Sequence, residues 1–304
     1  MSKHPTLIQQ FRSFYFQNNP KDLEQAIEYF SVFGGMGWSV DMEKPLLELV
    51  ETKLLKNYAY IHGDITKLTN SNKLIHALLS AIAVGDRRMF SSFKRARVSR
   101  EEGDEAVDKL YESGLIDIEY SLELPLKEED HNSDKLNFVK PFMRFWFSFI
   151  SPFYKTIKEG NYKEVKERFA NREQGFNDFV FEKLSQELLK KSFQDDPILE
   201  IGSYWDKNAE IDILARTSSG KLIAGSCKYV DAKVKKTELT KLKEKCALAG
   251  LEPDIFVIFS KNGFTNELKS LKGETVKLFT LKSFKSLVED ISEKDVIACD
   301  GKRY

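Results

Sequence analysis

Apolar positions in the first half of the chain recur at intervals of three and four. In DLEQAIEYFSVF, Leu23, Ala26, Ile27 and Phe30 fall on one helical face, and Gly34 and Gly35 predict the end of that helix. A second helix is predicted from Glu43 to about Lys56. NKLIHALLSAIAVGD, MFSSFKRAR and SREEGDEAVDKLYESG predict three more, the last opened by Ser99 as N-cap with Glu102 completing a capping box and closed by Gly114. The period then changes to two. LIDIEYSLEL and KLNFVKPF read as strands joined by the acidic turn KEEDHNSD. The aromatic run PFMRFWFSFISPFY and the stretch from Ile157 to Lys191 read as helical throughout. From Pro197 onward ILEIGSYW, EIDILAR, KLIAGSCKYV and DIFVIFS alternate as strands, and KTELTKLKEKCALAG reads as an amphipathic helix. VKLFTLKSFKSLVED closes with a strand and a helix.

Three helices followed by a β-hairpin is the order of a winged helix, whose third helix enters a DNA groove. Here that helix carries Glu101, Glu102, Asp104 and Glu105 near its start, which disfavours phosphate contact and leaves packing or partner binding as an equal reading. Composition narrows the class. The 304 residues, 41% hydrophobic and 12% aromatic, suffice for real cores and argue against disorder. Forty-seven basic and forty-seven acidic residues cancel, so only local patches could attract nucleic acid. Three cysteines without CxxC spacing predict neither a disulfide framework nor a zinc knuckle and suit a reducing cytoplasm. No signal peptide or membrane span is expected, because the longest apolar run contains Arg144 and Pro152.

Candidate chemistry centres on AEIDILARTSSGKLIAGSCKY. Alternation places Glu210 and Asp212 on one strand face with Ile211 and Ile213 on the other, and puts Ser226 with Lys228 on the next strand. Glu182, in FVFEKLSQELL, is a third acid within reach of such a sheet end. Carboxylates that hold a divalent ion, with a lysine to orient water and neutralise developing charge, are what phosphodiester cleavage requires. A buried ion pair at a sheet end is the plainer reading of Asp212 and Lys228.

The Asp212 to Lys228 arrangement resembles the PD-(D/E)XK nuclease fold. With FVKPFMRFWFSFI, FVFEKLSQELL, IGSYWDKNAEIDILA, CKY and IFSKNGFT, the last two thirds of the chain resemble the C-terminal domain of archaeal-type DEXX-box ATPases, a winged helix joined to a nuclease-like module. No GxxxxGK[ST] occurs, so ATP binding and hydrolysis are not expected. The resemblance implies Asp212 as metal-binding aspartate, Glu182 as helix acid and Lys228 as catalytic lysine. Ser226 stands where the second acid belongs, a poor ligand that would weaken a Mg²⁺ or Mn²⁺ site. Glu210 is the expected substitute ligand and Glu200 a lesser one. Lys140 also departs from the pattern, where an acid is expected before Pro141.

Together these patterns predict an α+β or α/β chain with an N-terminal helical region (1–70), a winged-helix domain (71–140), a helical linker (141–175) and a mixed sheet flanked by helices (176–304), which the resemblance implies to be restriction-endonuclease-like. Residues 221–247 hold eight lysines against three acids, and Lys233, Lys235 and Lys236, with Arg95 and Arg97 in the winged helix, are candidate DNA-backbone contacts. The aromatic cluster from Phe142 to Phe149 is expected to be core, as is Cys227, and the four scattered histidines show no ligand spacing. The expected function is that of a DNA-binding, nuclease-like protein with a weakened metal-dependent phosphodiesterase site. The alternative is a catalytically inactive adaptor that binds a separate ATPase or another protein partner.

Overall fold

The computed structural model describes residues 4–122 and 134–297. Cys299, His131 and most of the KEEDHNSD turn lie outside the described residues. The helical half begins with α1 (Leu7–Asn18), which opens on a capping box between Thr6 and Gln9, and α2 (Leu23–Phe33), capped by the Asp22 carboxylate. The helix expected over 43–56 is instead a short α3 (Leu46–Leu49) that widens into a π-helical stretch, Val50–Leu55. α4 (Tyr58–Leu68) follows.

The next unit has the expected order. α5 (Lys73–Val84), α6 (Met89–Ala96) and α7 (Arg100–Glu112) precede an antiparallel hairpin of β1 (Ile116–Glu119) and β2 (Lys135–Phe138). The Ser99–Glu102 capping box at the start of α7 is formed. The aromatic run is not one helix. It comprises α8 (Pro141–Phe145), a π-turn (Trp146–Ile150), a 3-10 turn at Pro152 and α9 (Tyr154–Lys158). Gly160, with φ of 78°, separates α9 from α10 (Lys163–Ala170), and α11 (Glu173–Ser192) is the longest helix described.

The C-terminal half is a five-stranded mixed sheet in the order β3 (Ile198–Trp205), β4 (Glu210–Thr217), β5 (Leu222–Lys228), β6 (Ile255–Ser260), β7 (Val276–Thr280). The first three strands are antiparallel neighbours. The last two run parallel to β5, connected through α12 (Lys236–Leu248) and α13 (Asn266–Lys269). The segment after β7 is a 3-10 helix over Leu281–Leu287 rather than an α-helix.

One face of the sheet presents Ile213, Ala215, Ile223, Val257 and Phe259 to the main core, which continues through Leu184 and Leu188 of α11 into the helical half. The other presents Ile211, Leu214, Leu222 and Ala224 to Leu242 and Cys246 of α12. Phe142, Phe145, Trp146, Phe147 and Phe149 are all 2% exposed or less and belong to the main core. Edge-to-face contacts tie Phe145 and Phe149 to Phe169 and Phe176. Among the described residues no helix is long and apolar enough to cross a membrane.

Candidate functional site

The expected alternation in β4 is broken at the position that matters. Tyr204 pairs with Ile211 but Gly202 pairs with Leu214, so β4 carries one residue more than β3 between these points. This bulge, at Asp212–Ile213, puts Ile211 and Ile213 on opposite faces of the sheet, where simple alternation puts them on one. It also ends the β4–β5 ladder at Ile213–Gly225. The Asp212 Oδ2 atom substitutes for a ladder carbonyl by accepting the Cys227 N–H at 2.8 Å, and the Asp212 carbonyl accepts the Ser203 hydroxyl at 3.0 Å.

Asp212 and Lys228 meet at this splayed strand end through two intermediaries. Ser226 Oγ lies 3.2 Å from Asp212 Oδ2 and 2.9 Å from Glu238 Oε1, and Lys228 Nζ lies 3.1 Å from the same Glu238 oxygen. Glu238 occupies the first turn of α12, where the helix dipole favours a carboxylate. Burial alone would lower the Lys228 pKa; the charges of Asp212 and Glu238 outweigh it and hold the ammonium above its ordinary value.

Glu182 approaches from α11. Ser203 Oγ, whose hydrogen goes to the Asp212 carbonyl, also lies 3.3 Å from Glu182 Oε1 and 3.3 Å from Glu119 Oε1 of β1, so the two acids flank one serine. Burial, with the neighbouring charges of Asp212 and Glu119, raises the Glu182 pKa against the pull of Lys183 and Arg87. Glu119 behaves oppositely. Burial works against its charge, yet Lys183 at 2.6 Å, Arg87 and the Asn137 amide hold its carboxyl down at about 2.

Glu210 turns away from this group. Its carboxylate pairs with Lys135 of β2 at 2.7 Å and Arg88 at 3.8 Å, and no contact joins it to Asp212. The bulge separates the two acids that alternation would have placed together. Glu200 is exposed, opposite Arg216 toward the turn end of β4. Burial, then the charges of Asp212 and Glu182, drive the Cys227 thiol well above its ordinary value.

Two acids escape the sequence pattern. Glu238 is ten residues past Lys228 and on a helix, so no strand spacing marks it; the signal that could have found it is an acid in the first turn after a strand that ends in lysine. Asp178, one turn before Glu182 on α11, is exposed as a residue but turns its carboxyl toward the backbone of Tyr229. Burial and the Asp212 charge push its pKa up to about 6 despite Lys228.

Of the candidate phosphate contacts, Lys233 and Lys235 lie exposed on the segment between Lys228 and α12. Lys236 is 3.4 Å from Glu267. Arg95 and Arg97 are exposed on and after α6, with no contact that joins them to the Asp212 group. Among the described residues no three His, Cys, Asp or Glu side chains gather closely enough to cage a metal. The donor set that remains, Asp212 and Glu238 about one hydroxyl, fits a Mg²⁺-type ion of the kind held by one or two carboxylates together with substrate phosphate oxygens.

Residues 146–241 match the family DUF234, described as archaeal and bacterial proteins of unknown function. That stretch contains Glu182, Asp212, Ser226, Lys228 and Glu238. An uncharacterised protein of Methanocaldococcus jannaschii is 23% identical over 214 residues, which cover 65% of this chain and 46% of that protein. Among solved structures, the Vibrio cholerae protein VC1899 is matched at 13% identity and a TM-score of 0.26, over 81% of this chain and 55% of that one. A Thermococcus gammatolerans assembly of McrB AAA+ hexamers with bound McrC is matched at 12% identity and a TM-score of 0.25, over 73% and 52%. The chain spans about half the length of each of these proteins.

Proposed function

We propose that the C-terminal half is a nuclease-like module with a weak, divalent-metal-dependent phosphodiesterase site, and that Glu238 supplies from α12 the second acid that Ser226 lacks. The observation that carries this reading is the Ser226 hydroxyl set between two carboxylate oxygens. A hydroxyl has one hydrogen to give. Only one of the contacts can therefore be a hydrogen bond while both acids are ionised, and the group is short of positive charge. A divalent cation held by Asp212 and Glu238 would supply the missing positive charge.

In this reading Asp212 and Glu238 hold the ion, which when bound neutralises charge on the scissile phosphate. Lys228 orients the attacking water and stabilises the charge that develops on the phosphorus oxygens. Glu182 braces the site through Ser203, and Lys233 and Lys235 attract the backbone of DNA. The Lys228–Glu238 pair favours a second reading, because it neutralises the lysine internally: a silent adaptor in which the group serves only as a strand clasp.

Nicking of supercoiled plasmid separates the two. With Mn²⁺ or Mg²⁺ the chain is expected to nick slowly, EDTA to stop it, and both Lys228→Ala and Glu238→Ala to lower the rate by at least about a hundredfold. A wild-type chain that never nicks, or variants that nick equally well, would remove the enzymatic reading and leave the adaptor.

A further inference from the structure

The motifs CKY and IFSKNGFT, of which the site above uses only Lys228, touch each other where β5 and β6 end. The Lys261 N–H donates to the Lys228 carbonyl at 3.0 Å, one residue past the last rung of the parallel ladder. The Lys261 ammonium lies 4.8 Å from the centre of the Tyr229 ring, a side chain 1% exposed. The loop that carries Lys261 is tied down. Ser260 Oγ donates to the Gly263 carbonyl at 2.9 Å, the Val234 N–H donates to the same carbonyl at 2.9 Å, and the Asn262 amide donates to the Asp231 carbonyl.

Three carboxylates share the Lys261 ammonium, which is 11% exposed. Asp231 Oδ1 and Glu24 Oε1 both lie at 2.8 Å, and Glu28 Oε1 lies at 3.7 Å. Asp231 belongs to the segment after β5, whereas Glu24 and Glu28 sit one turn apart on α2. One cation therefore joins the helical half to the strand end that carries Lys228. The Tyr229 hydroxyl, 3.3 Å from Glu28 Oε1, makes a second joint between the same elements.

Glu173 of α11 adds its charge to the same group, so four acids face one ammonium. Glu28, the farthest of the three carboxylates around Lys261, bears the excess. Burial pushes its carboxyl up to about 7; Lys261 and the Tyr229 hydroxyl oppose the shift, and Glu173 and Glu24 add to it. Neutral Glu28 relieves the crowding of negative charge and ionised Glu28 restores it. Because its value in the folded chain lies above the ordinary 4.5, the stability linked to it is full below about pH 4.5 and is lost as pH rises through about 7.

We infer that Lys261 is a positioning residue for Lys228, its ammonium latching the ends of β5 and β6 to α2, and that protonation of Glu28 tightens the latch. The positioning role rests on the nuclease-like reading; the latch does not. With the latch closed, the backbone bond from Lys261 holds the Lys228 carbonyl while α2 holds Lys261. With it open, the strand end is free to carry the Lys228 ammonium away from Glu238.

The test uses the full chain. In EDTA, amide hydrogen exchange over Ser226–Asp231 is compared in wild type, Lys261→Met and Lys261→Arg. Thermal melting is followed from pH 5.5 to 8.5 in wild type and in Glu28→Gln, the isostere of the neutral form. Lys261→Met is expected to speed exchange in that segment about tenfold, with Lys261→Arg close to wild type. The wild-type melting temperature is expected to fall more steeply with rising pH than that of Glu28→Gln. Unchanged exchange in Lys261→Met overturns the latch, and parallel melting curves overturn the part assigned to Glu28. If Lys261→Met does not fold, Glu24→Gln, which removes an α2 partner and leaves the ammonium in place, decides by the same exchange measurement. In plasmid nicking with Mn²⁺, Lys261→Met is expected to lower the rate about tenfold and Lys261→Arg to restore it. A wild-type rate in Lys261→Met overturns the positioning role. A wild-type chain that never nicks defeats the catalytic reading and the positioning role with it, while exchange and melting still decide the latch.

Discussion

Lys183→Met strips the partner from Glu119 and tests how the hairpin is docked on α11. The two side chains are 15% and 18% exposed, and the ammonium lies 2.6 Å from the carboxylate. With Lys183 gone, Glu119 keeps the Asn137 amide and the attraction of Arg87 but loses its nearest charge. Removing one member of a largely buried pair costs about 3 kcal/mol when nothing relaxes, and these surviving interactions reduce this to about 2 kcal/mol. The pH dependence has a definite sign. The Glu119 pKa is depressed in the folded chain, from 4.5 to about 2, so the stability it contributes is present above about pH 4.5 and is lost as pH falls toward 2. The full depression corresponds to about 3 kcal/mol. Urea unfolding at pH 7 and at stepwise lower pH reads both quantities. Lys183→Met is expected to lose about 2 kcal/mol at pH 7 and to show a shallower acid limb, and Glu119→Gln/Lys183→Met to recover part of the loss. A Lys183→Met chain within about 0.5 kcal/mol of wild type, with an unaltered acid limb, would refute the argument.

Ser226→Glu places a third carboxylate beside Asp212 and Glu238 at a position only 3% exposed; it is expected to lower the melting temperature in EDTA and to regain much of the loss on addition of Mn²⁺, as differential scanning calorimetry would show. Gly225→Ala sets a methyl 2.6 Å from Val257 Cγ2 and 3.0 Å from Ile213 Cβ in the sheet face under α11, so it is expected to cost about 1–3 kcal/mol in urea unfolding, and a neutral outcome would show that β4 and β6 yield more easily than a packed sheet should.

Much of this architecture is legible from periodicity. The strands around Asp212 and Lys228 alternate strongly enough to be placed, and Ser99 with Glu102 announces α7. The aromatic run from Phe142 declares a core without declaring its path, because π and 3-10 turns satisfy the same apolar spacing as an α-helix. The site was only half readable. Asp212, Ser226 and Lys228 converge because consecutive strands make them neighbours, whereas Glu238 arrives through the packing of Leu239 and Leu242, which fixes the rotation of α12. The bulge at Asp212–Ile213 has no glycine or proline within β4 to announce it. It is imposed by the pairing of β4 with β3, a long-range property that local alternation does not contain, and it is why Glu210 parts from Asp212.

Lys135 bears on how the molecule can be divided. Its side chain is 4% exposed, its ammonium sits 4.1 Å above the Trp205 ring, and its counter-ion is Glu210 on the far side of any cut between the hairpin and the sheet. A fragment that begins after α10 keeps an indole stripped of its lid and an orphaned carboxylate. The complementary fragment keeps an ammonium that has lost both its aromatic cover and its Glu210 partner. Truncations for expression are therefore best trimmed at the chain ends, because severing the halves uncovers charge as well as grease.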